Sequence, residues 1–169
     1  MDKREYYLSI LSRIDSMLTF AETKISFMLA YLGLLLAVLG NQTEEIKYLL
    51  QKTSQEIITS TLALLISIIV VILFILYYMG KVLLPKLKFS KRNSMIYFSD
   101  ISKLSENKYR TDMARLKVGE IEEDLLSQIH AVSSITSDKF KNIHKATIFL
   151  GILTVLWLVI IVEIIVFSA

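Results

Sequence analysis

The chain has 169 residues, of which 54% are hydrophobic and 21% charged, and its mean hydropathy of +0.55 is high for a soluble domain of this size. That composition excludes intrinsic disorder and collagen. The absence of cysteine excludes a disulfide-stapled fold, thiol catalysis and cysteine-ligated zinc.

From Glu5 to Lys24 the apolar positions Tyr7, Ile10, Leu11, Ile14, Met17, Leu18 and Ala21 recur at steps of three and four. This stripe continues in phase through Ile25 and Met28 into Ile25 to Gly40, which carries no charge. Residues 5–40 therefore read as one helix, with 1–24 outside the membrane and 25–40 as the first span. Sixteen residues rise about 24 Å, and the shortfall against a hydrocarbon core of about 30 Å closes if Lys24 snorkels and Glu22 sits at the headgroups. Balanced charge ahead of the stretch and no small-residue cleavage site after Gly40 favour a retained helix over a secretory signal.

Residues 41–56 form the predicted outer loop. Ile46, Leu49, Leu50, Thr53 and Ile57 keep one helical phase, so the second helix is expected to begin there and run into the span 57–80. Pro85 ends it near Leu84. Lys81, Lys86, Lys88, Lys91 and Arg92 follow, a basic run explained by membrane orientation and contact with anionic lipid. Ser94 to Ile101 is short and aromatic, a strand or the start of a helix, with Asp100 placed to cap a helix at Ile101. Glu106 to Met113 after Ser105 reads as another short helix. From Gly119 onward Ile121, Leu125, Ile129, Val132, Thr136, Phe140 and Ile143 hold a helical stripe with no Pro or Gly before Gly151. One helix of about 50 residues is expected, ending as the third span, 146–168. Its one formal charge is Glu163, which either serves membrane gating or reaches the outer headgroups.

Segment charges orient the chain. Residues 81–145 hold thirteen Lys and Arg against eight acids, whereas 41–56 hold two Lys against three Glu. The basic bias places the N-terminus and 81–145 in the cytoplasm. The expected fold class is thus an all-α membrane protein with three transmembrane helices and a cytoplasmic helical bundle built from 1–24 and 81–145. So small a bundle, in two pieces, gains from homo-oligomerisation.

Enzymatic signatures are missing. The five glycines are too dispersed for a phosphate-cradling loop. His130 and His144 lie 14 residues apart, about 21 Å along a helix, too far to share a metal. The acidic run Glu120, Glu122, Glu123, Asp124 reads as a solvated helix start. The charge pattern does not call for nucleic acid as a partner, so the expectation is no catalytic residue, no metal and no cofactor.

Three segments together resemble the membrane effectors of the Pycsar antiphage system. They are Phe20-Ala21-Glu22-Thr23-Lys24; Tyr97-Phe98-Ser99-Asp100-Ile101 with Tyr109; and Leu125-x-x-Gln128-Ile129 with Ser134-Ile135, Lys139, Asn142 and Ala146. Glu22 and Ile25 depart from the Asp and Ala commoner there. The resemblance implies a bacterial inner-membrane protein that binds a cyclic nucleotide, often a cyclic pyrimidine monophosphate, made by an adjacently encoded cyclase. It then damages the lipid bilayer and causes abortive infection. Such a ligand wants a cation, an aromatic face and hydrogen-bonding groups. Glu22, Lys24, Tyr97, Phe98, Asp100, Gln128 and Lys139 are the candidate ligand-binding residues. Each has a plainer role: the aromatics as core, Lys24 as a snorkelling flank, Gln128 as a bond between helices. The alternative function is a ligand-independent, holin-like or toxin-like pore former; a passive membrane scaffold is a third.

The orientation is directly testable. A reporter active only in the cytoplasm should work when placed near Ser105 and fail at the C-terminus; activity at both positions would remove one span.

Overall fold

A computed structural model describes residues 3–84 and 94–167, without the side chain of Lys52. Pro85, Lys86, Lys88, Lys91 and Arg92 lie outside the described residues. Six helices follow one another: α1 (Lys3–Asn41), α2 (Thr43–Lys52), α3 (Gln55–Leu83), α4 (Phe98–Ile101), α5 (Glu106–Arg115) and α6 (Val118–Phe167). Among the described residues there is no strand, and α1, α3 and α6 are each long and apolar enough to cross a membrane. The protein is an all-α, multi-pass membrane protein.

Both long periodic readings match single helices, 39 residues in α1 and 50 in α6. The segment after the first span differs. The expected outer loop is mostly helix α2, and the expected continuous run into the second span is broken at Thr53 and Ser54, which are extended (ψ −179° and 155°). Thr53 Oγ1 donates to the Leu49 carbonyl, supplying a partner to an acceptor that the end of α2 leaves without a backbone amide. The shared phase survives the break: Leu49 is fully buried, and α2 packs against α3.

The chain divides into two compact units, Met1–Phe20 with Pro85–Asp138, and Ala21–Leu84 with Lys139–Ala169. The second holds the spans. Its buried positions recur at steps of four and three on α1, at Ala21, Ile25, Met28, Leu32 and Leu35. On α6 the steps are three, four, three, seven and four, at Ile143, Ala146, Leu150, Leu153, Ile160 and Ile164, with partly buried Trp157 inside the seven. Thr61, Ile68, Ile75 and Val82 on α3 are spaced by seven. This is the heptad seam of helices crossing at a shallow angle. Cross-contacts set the directions. Met28 and Tyr31 meet Thr147 and Thr154, so α1 and α6 run parallel. Phe74 and Tyr78 both stack on Phe149, at 5.1 and 5.7 Å between centroids, while Ser60 meets Glu163, so α3 runs antiparallel to α6. At most 22% of any span's most apolar window is buried inside the chain, so most of this apolar surface is left for lipid.

Two substitutions separate packing from helix propensity. Ala146→Leu adds three carbons at a position with no exposed surface and should cost about 1–3 kcal/mol, read as a lower melting temperature in detergent. Gly119→Ala, whose new Cβ meets nothing within 4 Å, should be neutral or raise it, by about 0.5–1 kcal/mol.

Candidate functional site

In the first unit a turn is built almost entirely from side chains gripping backbone amides. Ser94 Oγ accepts from the amides of Ile96 and Tyr97, at 3.1 and 3.0 Å. Asp100 Oδ2 accepts from the Ser94 amide at 3.2 Å, and Asp124 Oδ2 on α6 accepts from the Met95 amide at 2.8 Å. Tyr109 on α5 donates its hydroxyl to the Met95 carbonyl, at 3.3 Å. The aromatic segment is therefore the start of a helix, not a strand. Tyr97, extended, precedes α4. Ser105 caps α5 by accepting from the Lys108 amide.

Asp100 does not cap a helix at Ile101. It lies inside α4, buried, with one oxygen on Ser94 and the other accepting from Lys103 Nζ at 2.9 Å. The Lys103 hydrogen bond first, then the Ser94 amide, hold its carboxyl below the ordinary value of 3.8, against an opposing effect of burial. Both oxygens are engaged in holding the turn, so it is a positioning group. The acidic run is likewise more than a solvated helix start. Glu120 accepts from the Lys117 amide at 2.9 Å, closing the N-terminus of α6, and Asp124 pins Met95. Among the described residues, no three His, Cys, Asp or Glu gather as metal ligands.

The turn presents Tyr97 and Phe98 side by side, ring centroids 4.9 Å apart, with Phe98 69% exposed. Phe98 is thus a surface residue, not core. Gln128 on α6 is buried. These three, with Asp100, fall in the first unit.

Glu22, Lys24, Lys139 and Glu163 fall in the second. Lys139 Nζ donates to Glu22 Oε1 at 3.2 Å, and its side chain is only 12% exposed, so the ammonium is sheltered and its charge is met by a carboxylate on α1. Lys24 is exposed. Glu163 accepts from Ser60 Oγ on α3 through Oε1, while its Oε2 is buried with no partner. Sequence reasoning missed Ser94 and Asp124. Their only signal was a serine two and three residues ahead of the amides it accepts from, and one carboxylate in a run of four.

A family model described as the Pycsar effector protein domain matches residues 6–166. No curated protein matches the chain, and neither does any solved structure.

The turn has a defined acid sensitivity. Asp100 is held below its ordinary value, so its contribution is fully present above that value and is lost as pH falls through the lowered one. Hydrogen exchange at the Ser94 amide should be flat from neutral pH to about pH 5, after correction for intrinsic rates, and rise only in stronger acid. In Asp100→Ala it should be fast throughout; unchanged protection there would remove the residue from the turn.

Proposed function

The chain belongs to the Pycsar effector family, antiphage defence effectors with membrane helices, and on that premise we propose that it is an inner-membrane effector controlled by a cyclic nucleotide. The ligand, a cyclic pyrimidine monophosphate in this reading, comes from an adjacently encoded cyclase. Its binding switches a homo-oligomer to a state that impairs the bilayer, and the cell dies before phage progeny mature. The N-terminus and residues 81–145 face the cytoplasm, and no step is enzymatic.

The observation that carries this reading is α6, one helix from Val118 to Phe167. It bears Gln128 and Asp124 in the first unit and Lys139, Ala146 and Glu163 in the second. A contact made on its cytoplasmic half acts on the same helix that crosses the membrane, with no proline or loop to absorb the change. The ligand needs only to bind one arrangement better than the other, since about 1.4 kcal/mol of preference moves the populations tenfold.

Roles follow for the candidate residues. Exposed Phe98 beside half-buried Tyr97 offers an aromatic face to a base, and buried Gln128 supplies a polar group. Asp100 holds their turn. The Glu22–Lys139 pair clasps α1 to α6 at the membrane boundary, Lys24 flanks it, and Ser60–Glu163 clasps α3 to α6 near the outer end. Breaking either clasp leaves a sheltered charge or carboxylate unpaired, so each favours one arrangement of the spans.

In liposomes loaded with a self-quenching dye, the protein should release dye when cyclic CMP or cyclic UMP is added. Two glycines inserted after Ser137 soften α6 and turn its membrane half by about 200°, so this variant should still bind nucleotide but no longer release dye. Normal release by the variant would overturn the transmission through α6. Release by the wild type without any nucleotide would favour the ligand-independent pore.

A further inference from the structure

The function proposed above needs a cation for one phosphate, and the cations first named for it, Lys24 and Lys139, both fall outside the first unit. Several other cations are already committed. Lys139 is held by Glu22, Lys103 by Asp100 and Arg110 by Glu106. Arg13 is different. It is exposed, forms no ion pair among the described residues, and lines a cavity of about 230 Å³ whose other walls are Ile14 and Met17 on α1 and Ser133 and Thr136 on α6.

Resting on that function, we infer that this cavity is where the cyclic nucleotide binds, with Arg13 holding its phosphate. A guanidinium presents two parallel N–H donors to the two free phosphate oxygens of a cyclic monophosphate, a match that a lysine does not reproduce. Ser133 adds a hydroxyl one helical turn from Thr136. Thr136 Oγ1 gives its own proton to the Val132 carbonyl at 2.8 Å, so it faces a ligand as an acceptor, suited to a ribose hydroxyl. In this placement Ile14 and Met17, one turn apart, supply the apolar surface for the base in place of Tyr97 and Phe98, which do not line the cavity.

Two comparisons narrow the choice. A second cavity in the same unit is lined by Arg4, Val118, Ile121, Glu122 and Leu125, and there a carboxylate competes with any anion for the arginine. The Arg13 cavity has no acid in its lining. Its volume lies below the roughly 300–1,000 Å³ common for ligand pockets, which suits a cyclic mononucleotide better than a cyclic dinucleotide.

The absence of cysteine gives a direct test. Met17→Cys places a single thiol on the cavity wall, at a position 48% exposed and so open to a maleimide. In the detergent-solubilised full chain, cyclic CMP or cyclic UMP should slow labelling of that thiol, whereas a cyclic dinucleotide should not. Separately, Arg13→Ala should weaken binding of the same probe by about tenfold or more, Arg13→Lys should recover only part, and Lys47→Ala on α2, whose cation is paired with Glu44, should bind as the wild type does. If the wild type binds a cyclic mononucleotide but labelling is unchanged and Arg13→Ala binds normally, the cavity is not the site and the proposed function stands. If no cyclic mononucleotide binds the wild type, both fail together. Should Arg13→Ala misfold, protection of the thiol decides alone.

Discussion

Lipid offers nothing to which a backbone amide or carbonyl can hydrogen-bond, so every residue within the hydrocarbon core must satisfy its main chain from its own segment. The three long helices answer that constraint, and it also determines where polar side chains can sit. Within α3 the hydroxyls of Thr59, Thr61 and Ser67 turn back onto carbonyls one turn earlier. Contacts between helices that carry charge occur toward the ends, at Glu22–Lys139 and at Ser60–Glu163. Between them the seam is mostly aliphatic and aromatic, with Tyr31–Thr154, Thr147–Met28 and buried Thr61 as uncharged polar points. It holds by close packing, because lipid tails give two apolar helices little reason to leave lipid for each other.

The first unit solves a different problem. It has few residues with which to exclude water, and it compensates with directed hydrogen bonds. Ser94, Asp100, Asp124 and Tyr109 converge on four consecutive residues and make a short irregular stretch definite. Asp100, Glu120 and Asp124 are thereby committed to structure, whereas Arg13 has no ion pair among the described residues. That asymmetry is what an anionic ligand would read. Committed charges cost a ligand the energy of breaking a pair, whereas Arg13 costs only the loss of water.

Much of the fold was legible in the sequence because membrane helices announce themselves by length and by missing charge. Ile57 to Gly80 and Ala146 to Phe167 leave no competing interpretation, and the stripe from Ile121 to Ile143 is unbroken. The break between α2 and α3 was not legible, since Ile46, Leu49 and Ile57 keep one phase on both sides of it. Periodicity reports which face is buried, and two separate helices packed against each other can share a face. The site was legible as residue types more than as partners. Tyr97 and Phe98 were found as an aromatic pair, but the Glu22–Lys139 pair spans 117 positions and no local pattern encodes it. Arg13 was passed over because a lone arginine in a balanced segment has no signature until α6 supplies the opposite wall.

The spacing of the two polar clasps along α6 has a mechanical consequence. Lys139 and Glu163 are separated by 24 residues, about 36 Å of helix, while a bilayer's hydrocarbon interior averages about 30 Å. A stretch longer than its solvent layer tilts or thickens the lipid around it, at a cost that grows with each ångström of mismatch. Tilting the bundle loads the two ties differently, because α1 is tied to α6 at one end of the span and α3 is tied to α6 at the other. Bilayer thickness therefore acts on this protein as a force, set by the mismatch between the span of its clasps and the lipid around them.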